Sequence, residues 1–357
     1  MKDYGNDEKS AVQAKFDAQK IAFGPIMFQA ARLLRKFEIL KTLHEHRKEG
    51  LTKNEVADKC NLPLYTVKVL LEAGISMEIV YLKNNKFFLT KTGWFILNDP
   101  LTGVNIDFVH DVNYNGFFSL EESFKNQRPE GLKVFGEWNT IYEALSELPP
   151  QVAKSWFAFD HYYSDTAFPE LLAAIFQSKP KRLLDVGGNT GRFAIICAKY
   201  DPDVHITILD LPGQLEKAKK AIEEEGLQDR IDLIPMNLLD HSVPYPSGYD
   251  AVWMSQFLDC FPSSDIVSLL IKAKNAINPD GFVYILELYW DRQKYKASTY
   301  SLHATSLYFT CMANGSSQMY HSEDMYNMVN KADLEISKEW DNVGVSHTLF
   351  RCNHRNK

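Results

Sequence analysis

Hydrophobic positions fall into three regimes along the chain. From residue 11 to about 49 they recur at steps of three and four: Ile21, Phe23, Ile26, Met27, Ala30, Leu33, Leu34, Phe37, Leu40 and Leu43. That period predicts helix, with an apolar stripe broader than one buried face requires. Two arrangements would cover it: a core of its own domain, or a helix pair interleaving with a second copy. Residues 50–93 read as a short helix over 53–60 with Thr52 as N-cap, a turn at Asn61-Leu62-Pro63, and a second helix over 64–73. A hairpin of 79–82 and 87–90 follows. Helix-turn-helix plus a two-stranded wing is a winged helix. Residues 94–180 read as helix and loop dense in aromatic residues. From residue 182 strands and helices alternate, with strands at 182–186, 205–209, 231–235, 249–255 and 281–288. Helices are expected at 191–200, 214–226 and 264–277, and two last strands at 334–340 and 346–352. This is the pattern of a doubly wound α/β domain with a mainly parallel sheet. The chain therefore divides into a winged-helix region over 1–100, a helical linker over 101–180 and an α/β domain over 181–357.

Composition narrows the class. Of 357 residues, 45% are hydrophobic and 24% charged, the balance of a globular protein with enough chain for two cores. The net charge of −7 argues against a dedicated nucleic-acid binder. Residues 1–100 do carry 16 Lys and Arg against 12 Asp and Glu. The helix that would enter a major groove, however, offers Lys68 and no Arg, Asn or Gln to read bases. Cys60, Cys197, Cys260, Cys311 and Cys352 are scattered, without metal-ligand spacing, so no metal site is expected. They read as reduced thiols. With a polar start rather than a signal sequence, and no apolar run of the ~18–20 residues a membrane span needs, the expectation is a cytoplasmic protein.

The chemistry concentrates at Leu184-Asp185-Val186-Gly187-Gly188-Asn189-Thr190-Gly191, where a glycine-rich turn leaves a strand and opens a helix. Glycines let backbone approach a ligand closely. The loop lacks the G-x-G-x-x-G spacing of a dinucleotide site, and Asp185 would repel a pyrophosphate. A carboxylate there suits a cationic ligand, and S-adenosylmethionine carries a sulfonium, an ammonium and no phosphate. At the end of the next strand, Asp210-Leu211-Pro212 supplies an acidic residue of the kind that accepts ribose hydroxyls.

These two motifs resemble those of the S-adenosylmethionine-dependent small-molecule O-methyltransferases, the group of plant phenolic and bacterial polyketide or hydroxyindole-type enzymes. The likeness continues through Tyr249-Asp250-Ala251-Val252, Leu258 to Pro262, and Asn278-Pro279-Asp280-Gly281 leading to Glu287. It implies a class I methyltransferase fold with the winged-helix region serving homodimerisation. It also implies S-adenosylmethionine as cofactor and a small, aromatic or apolar methyl acceptor as partner. Carried over residue by residue, it puts Asp185, Gly187, Gly188, Gly191, Asp210, Leu211, Asn237, Leu238 and Ser255 around the cofactor. Phe157, Phe159, His161 and Asn314 fall toward the acceptor.

The catalytic half departs from the family pattern. Where the family carries a histidine base, the segment Leu258-Asp259-Cys260-Phe261-Pro262 has Asp259, while Glu287 matches an orienting carboxylate. Three explanations stay open. The acceptor is readily deprotonated or already nucleophilic; another base serves, from among His110, His161, His303 and His321; or the cofactor is bound without methyl transfer, as in a regulatory protein. Burial beside Glu287 would raise the pKa of Asp259 and make it a stronger base. The competing reading makes it a solvated turn residue capping the helix near Ser264.

Overall fold

In the computed structural model, which describes residues 7–164 and 167–355, the broad apolar stripe is divided among three helices, Ala11–Ala22, Gly24–Lys36 and Ile39–Glu45. The expected helix pair is thus interrupted twice. Pro25 lies in the first turn of the second helix, where its missing N–H is tolerated. Glu38 takes a left-handed φ of 59° that ends one helix before the next begins. The polar start of the chain, read above through its first eight residues, lies outside the described residues up to position 6.

One compact unit of the structure ends at Val109. Its helices Lys53–Cys60 and Leu64–Ser76 are followed by strands β1 (Val80–Lys83) and β2 (Lys86–Leu89), paired antiparallel. Asn84 and Asn85 both adopt positive φ, as a two-residue hairpin turn requires. Thr52 and Glu55 form a reciprocal capping box at the first of these helices. Leu34, Leu40, Leu43, Val56, Val67, Leu71, Val80 and Phe87 make the core. The helix Ala11–Ala22 buries no residue, and Val12, Phe16, Ile21 and Ile26 stand exposed.

The other unit begins at His110 and holds a seven-stranded sheet. Its strands are β3 (Arg182–Val186), β4 (His205–Asp210), β5 (Ile231–Pro235), β6 (Tyr249–Ser255), β7 (Ile277–Glu287), β8 (Leu334–Val343) and β9 (His347–His354). They lie in the order β5-β4-β3-β6-β7-β9-β8. The first five run parallel, and β9 returns antiparallel to both β7 and β8. Side chains alternate between two cores. Leu184, Val252, Met254 and Ile285 face Ile266, Leu270 and Met328, whereas Leu183, Ile208, Trp253 and Tyr284 face Leu171, Phe193 and Ile222. The strand order reverses between β3 and β6, and a crevice at the carboxyl ends of such strands is where open α/β sheets bind ligands. Among the described residues no helix is long and apolar enough to cross a membrane, and no group of three or more His, Cys, Asp or Glu could hold a metal ion.

The small core of the first unit gives a direct check. Leu34 is fully buried, so Leu34→Ala should destabilise that unit by about 2–5 kcal/mol. Urea denaturation followed by circular dichroism would show it as a lower midpoint with an unchanged slope.

Candidate active site

β3 ends in Asp185-Val186, and the chain turns through Gly187 (φ 73°), Asn189 (φ 50°) and Gly191 (φ 76°) into the helix Arg192–Tyr200. At Gly187 and Gly188 the turn has no room for a side chain. A Cβ on Gly188 would lie 2.7 Å from both Asp185 Oδ2 and Ile208 Cγ2, and one on Gly187 2.4 Å from the Phe257 ring. Asp210, at the end of β4, accepts the Asn189 N–H on Oδ2 at 2.8 Å and the Leu211 N–H on Oδ1 at 2.6 Å. It thereby ties the second strand to the glycine turn, and Leu211 becomes the N-cap position of the helix Pro212–Glu224.

Asp185 is only 2% exposed. Burial, with the charge of Asp210 adding to it, pushes its carboxyl up to about 8. Asp210 is also raised by burial, against the opposing pull of its two backbone hydrogen bonds. A cavity opens here, lined by Asp160, His161, Asp185, Asn189, Ser255 and Gln256 together with the turn glycines Gly187 and Gly188. Asp185 Oδ2, Asn189 Oδ1, Ser255 Oγ and Gln256 Oε1 are buried without a hydrogen-bond partner among the described residues. Buried polar atoms are normally paired. Four of them converging on one cavity fit a polar ligand that supplies the partners, and two raised carboxyls fit a ligand that brings positive charge. S-adenosylmethionine meets both conditions.

Gly191, Asp210 and Leu211 stand behind this lining rather than in it. Asn237 and Leu238 lie beyond β5, also outside the lining: Asn237 is exposed and accepts the Leu239 N–H in its own turn, while Leu238 is in the core.

A second acidic pole follows β6. Glu287, at the end of β7 and 1% exposed, accepts the N–H groups of Phe257 and Leu258 on Oε1 at 3.1 and 2.8 Å. Those bonds hold the short 3₁₀ turn Leu258–Cys260 that carries Asp259. Asp259 is 5% exposed and does not cap the helix Ser263–Ala276, which has no side-chain cap. Burial raises it to about 7, opposed by the Cys260 thiol 3.5 Å from its Oδ1 and reinforced by Asp160. Glu287 is raised by burial and then by the charge of Asp259, so the pair retains a proton near neutral pH. The turn is pinned from outside. Asn314 Nδ2 donates to the Cys260 carbonyl at 2.9 Å, and Tyr320 donates to the Phe261 carbonyl at 2.7 Å. Asn314 also bonds Ser317 Oγ and accepts from the Ser316 and Ser317 N–H groups, so its amide is committed to this loop.

The helix Pro150–Ser164 brings aromatic and acidic groups to the same region. Phe157 stacks on His161 with ring centres 6.0 Å apart, and Lys217 lies 4.4 Å over the Phe157 ring. Phe159 packs on Tyr163. Asp160 accepts from Asn189 Nδ2 at 3.2 Å, joining this helix to the glycine turn, and its charge also reaches Asp259. Sequence reading singled out His161 and passed over Asp160. The available signal was that Asp160 is the only carboxylate in the aromatic run from Trp156 to Tyr163. Of the other candidate bases, His321 caps the helix Ser322–Lys331 by accepting the Glu323 N–H, and His303 and His321 flank Trp290. His110 lies 4.0 Å from Asp111. None of these three lines the cavity, and neither do Asp259, Glu287, Phe157, Phe159 or Asn314.

Comparison with known proteins gives the family. Residues 117–335, more than half of the chain, match the O-methyltransferase domain, and residues 15–87 match the Dimerisation2-like domain. The L-tyrosine C(3)-methyltransferase of Streptomyces lavendulae is 28% identical over 277 residues, 74% of this chain and 72% of that protein. The demethylspheroidene O-methyltransferase of Rhodobacter capsulatus is 24% identical over 288 residues, 80% of this chain and 69% of that protein. Among solved structures, the S-adenosylmethionine-dependent methyltransferase SibL in its apo form superposes with a TM-score of 0.72 at 24% identity, covering 95% of this chain and 99% of that one. With its doubly wound sheet, its glycine turn and its cation-suited cavity, the chain belongs to the O-methyltransferase domain family and is an S-adenosylmethionine-dependent methyltransferase of small molecules.

Proposed function

We propose that the enzyme methylates an oxygen on a small aromatic acceptor, with Asp259 as the proton-accepting group and Glu287 as the residue that fixes its turn. The observation that carries this reading is the buried Asp259–Glu287 pair, held at the turn that follows the cavity-lining Gln256. In this reading Asp185, Gly187, Gly188 and Ser255 line the cofactor site, and Asp210 shapes it through Asn189. The cofactor supplies an electrophilic methyl group on a sulfonium sulfur. Asp259 receives the proton of the acceptor hydroxyl, so the acceptor oxygen gains the electron pair that forms the new C–O bond. When bound, the cofactor would keep the electron pair of its S–C bond on sulfur as the methyl group leaves. The aromatic helix containing Phe157, Phe159 and His161 suits a flat acceptor. Most of the acceleration comes from positioning, since orientation alone is worth about 7–11 kcal/mol.

Transfer to a ring carbon beside a phenolic oxygen is the second reading. It is favoured by the Streptomyces lavendulae relative, named for methylation of L-tyrosine at C(3). It uses the same first step, loss of the phenolic proton to Asp259, and the ring then recovers its aromaticity by losing a proton from the methylated carbon. Product analysis separates the two readings.

We also infer a homodimer formed through the N-terminal helices. The helix Ala11–Ala22 buries nothing, and the Dimerisation2-like match covers this region. Five unpaired thiols support a reducing, cytoplasmic setting. The single Lys in the first turns of the helix Leu64–Ser76 leaves little to read a nucleic acid.

Three outcomes follow. With any phenolic acceptor that is turned over, Asp259→Asn should slow formation of S-adenosylhomocysteine at least tenfold. The wild-type rate should rise with pH toward about 7 and level off, whereas the variant's profile should be flat; identical profiles would remove Asp259 from acid–base chemistry.

The second outcome concerns stability without cofactor. Asp185 holds its proton more tightly in the folded chain than in the unfolded one, up to about 8 against an ordinary 3.8. Its contribution is therefore fully present below pH ~4 and is lost as pH rises through ~8. Asp185→Asn should gain on the order of 2 kcal/mol over wild type at pH 8 and almost nothing at pH 4. Thermal unfolding across this range would check it, and a variant weaker than wild type at pH 8 would contradict it.

The third is oligomeric state. Light scattering at micromolar concentration should give twice the chain mass, and Ile21→Glu should yield monomer. A wild-type monomer would sink the dimer.

A further inference from the structure

The cavity beside the glycine turn holds one buried atom that can only donate a hydrogen bond. Trp253 lines the cavity together with Asp185 and Ser255. It pairs in register with Asp185 on the neighbouring strand, and Ser255 lies two residues further along β6. The three side chains therefore share one face of the sheet. The indole is 1% exposed and stacks flat on Phe193, with ring centres 4.1 Å apart and planes 9° from parallel, while Phe168 packs against it edge to face. That packing fixes the ring. Its Nε1–H, sealed from solvent, has no acceptor among the described residues, and neither Asp185 Oδ2 nor Ser255 Oγ has a partner there.

A buried indole N–H is normally paired, and leaving it unpaired costs stability. Packing against Phe193 and Phe168 would be served as well by a third phenylalanine. What the nitrogen lacks is an acceptor, and a ligand that supplies one must also meet the carboxyl of Asp185 on the adjacent strand. A donor next to a carboxylate matches an α-amino acid end, whose carboxylate and ammonium sit on one carbon. In S-adenosylmethionine the α-carboxylate is the one anionic group. Resting on the reading that this cavity takes S-adenosylmethionine, we infer that Trp253 is a cofactor-binding residue whose Nε1–H donates to the α-carboxylate while Asp185 faces the α-ammonium. A ribose diol also offers a donor and an acceptor, but it brings no charge. Burial pushes Asp185 up to about 8, and a positive partner is what restores its ionised form. Two contacts of opposite sense fix the amino-acid end in one orientation, which Asp185 alone would not do.

The test is calorimetric titration of three ligands into the whole chain. They are S-adenosylhomocysteine, its analogue lacking only the carboxylate, and methylthioadenosine, which keeps ribose and adenine and has no amino-acid end. Trp253→Phe should bind S-adenosylhomocysteine about tenfold more weakly than wild type, the worth of a hydrogen bond to a charged group, with the other two affinities unchanged. An unchanged affinity for S-adenosylhomocysteine would overturn the inference. So would an equal loss for all three ligands, which marks the indole as packing, or a loss shared with methylthioadenosine, which places it at the ribose. Should Trp253→Phe fail to fold, benzothienylalanine at the same position keeps the ring's shape, has sulfur in place of the N–H and is read in the same way. Failure of the wild type to bind S-adenosylhomocysteine would instead overturn the reading of the cofactor site.

Discussion

The burial of four carboxyl groups along one edge of the sheet is the constraint on which the rest of the site depends. Asp185 ends β3, Asp210 ends β4, Asp259 follows β6 and Glu287 ends β7, all at the carboxyl side of parallel strands. Each is desolvated and each is pushed upward by burial. Ionising a buried carboxyl is expensive, so these groups hold their protons more tightly than usual, and a ligand that brings positive charge would favour their ionised forms. At the glycine turn, Gly188 is pressed against Asp185 and Gly187 against Phe257, so backbone borders the cavity at those two positions.

Glu287 and Asp259 divide the work at the second pole. Oε1 of Glu287 is saturated by two backbone N–H groups, which makes it a structural acceptor for the turn. Asp259 has the Cys260 thiol on Oδ1 and a backbone hydrogen bond, whereas Oε2 of Glu287 is buried without a partner among the described residues. Asn314 and Tyr320 hold the same turn from the other side. Sequence reading put Asn314 against the acceptor, and its hydrogen bonds give it an orienting place in this turn as well.

The strands and the glycine turn were legible because their signals are contiguous. Short apolar runs bounded by turn residues placed β3, β5 and β6 at the boundaries observed. The division of the first stripe into three helices was not legible, because the break at Glu38 depends on a left-handed backbone at a residue that does not favour it. Asp160 was legible only in part: it is the one carboxylate of its aromatic run, but that pattern does not say which cavity the helix turns it toward. Asn237 shows the converse. A motif position suggested an adenine contact, yet its amide is turned into its own loop at Leu239.

The exchange of histidine for aspartate at the base position looks severe when ordinary values are compared, near 6.5 for imidazole and near 3.9 for a carboxylate. Against a phenol near 10, proton transfer to a free carboxylate would be uphill by about six units, or about 8 kcal/mol. Burial changes the comparison. With Asp259 raised to about 7, the gap is about three units, or about 4 kcal/mol, which is the gap an unperturbed imidazole would face. On the proposed reading the desolvated pocket therefore restores with an acid the basicity that the family obtains from histidine. The two differ in charge. A protonated histidine leaves a cation beside the acceptor, whereas protonated Asp259 leaves a neutral group. The positive charge of the cofactor then faces the phenolic oxygen without a competing cation, and the attraction between nucleophile and electrophile is undiminished in a site that excludes water.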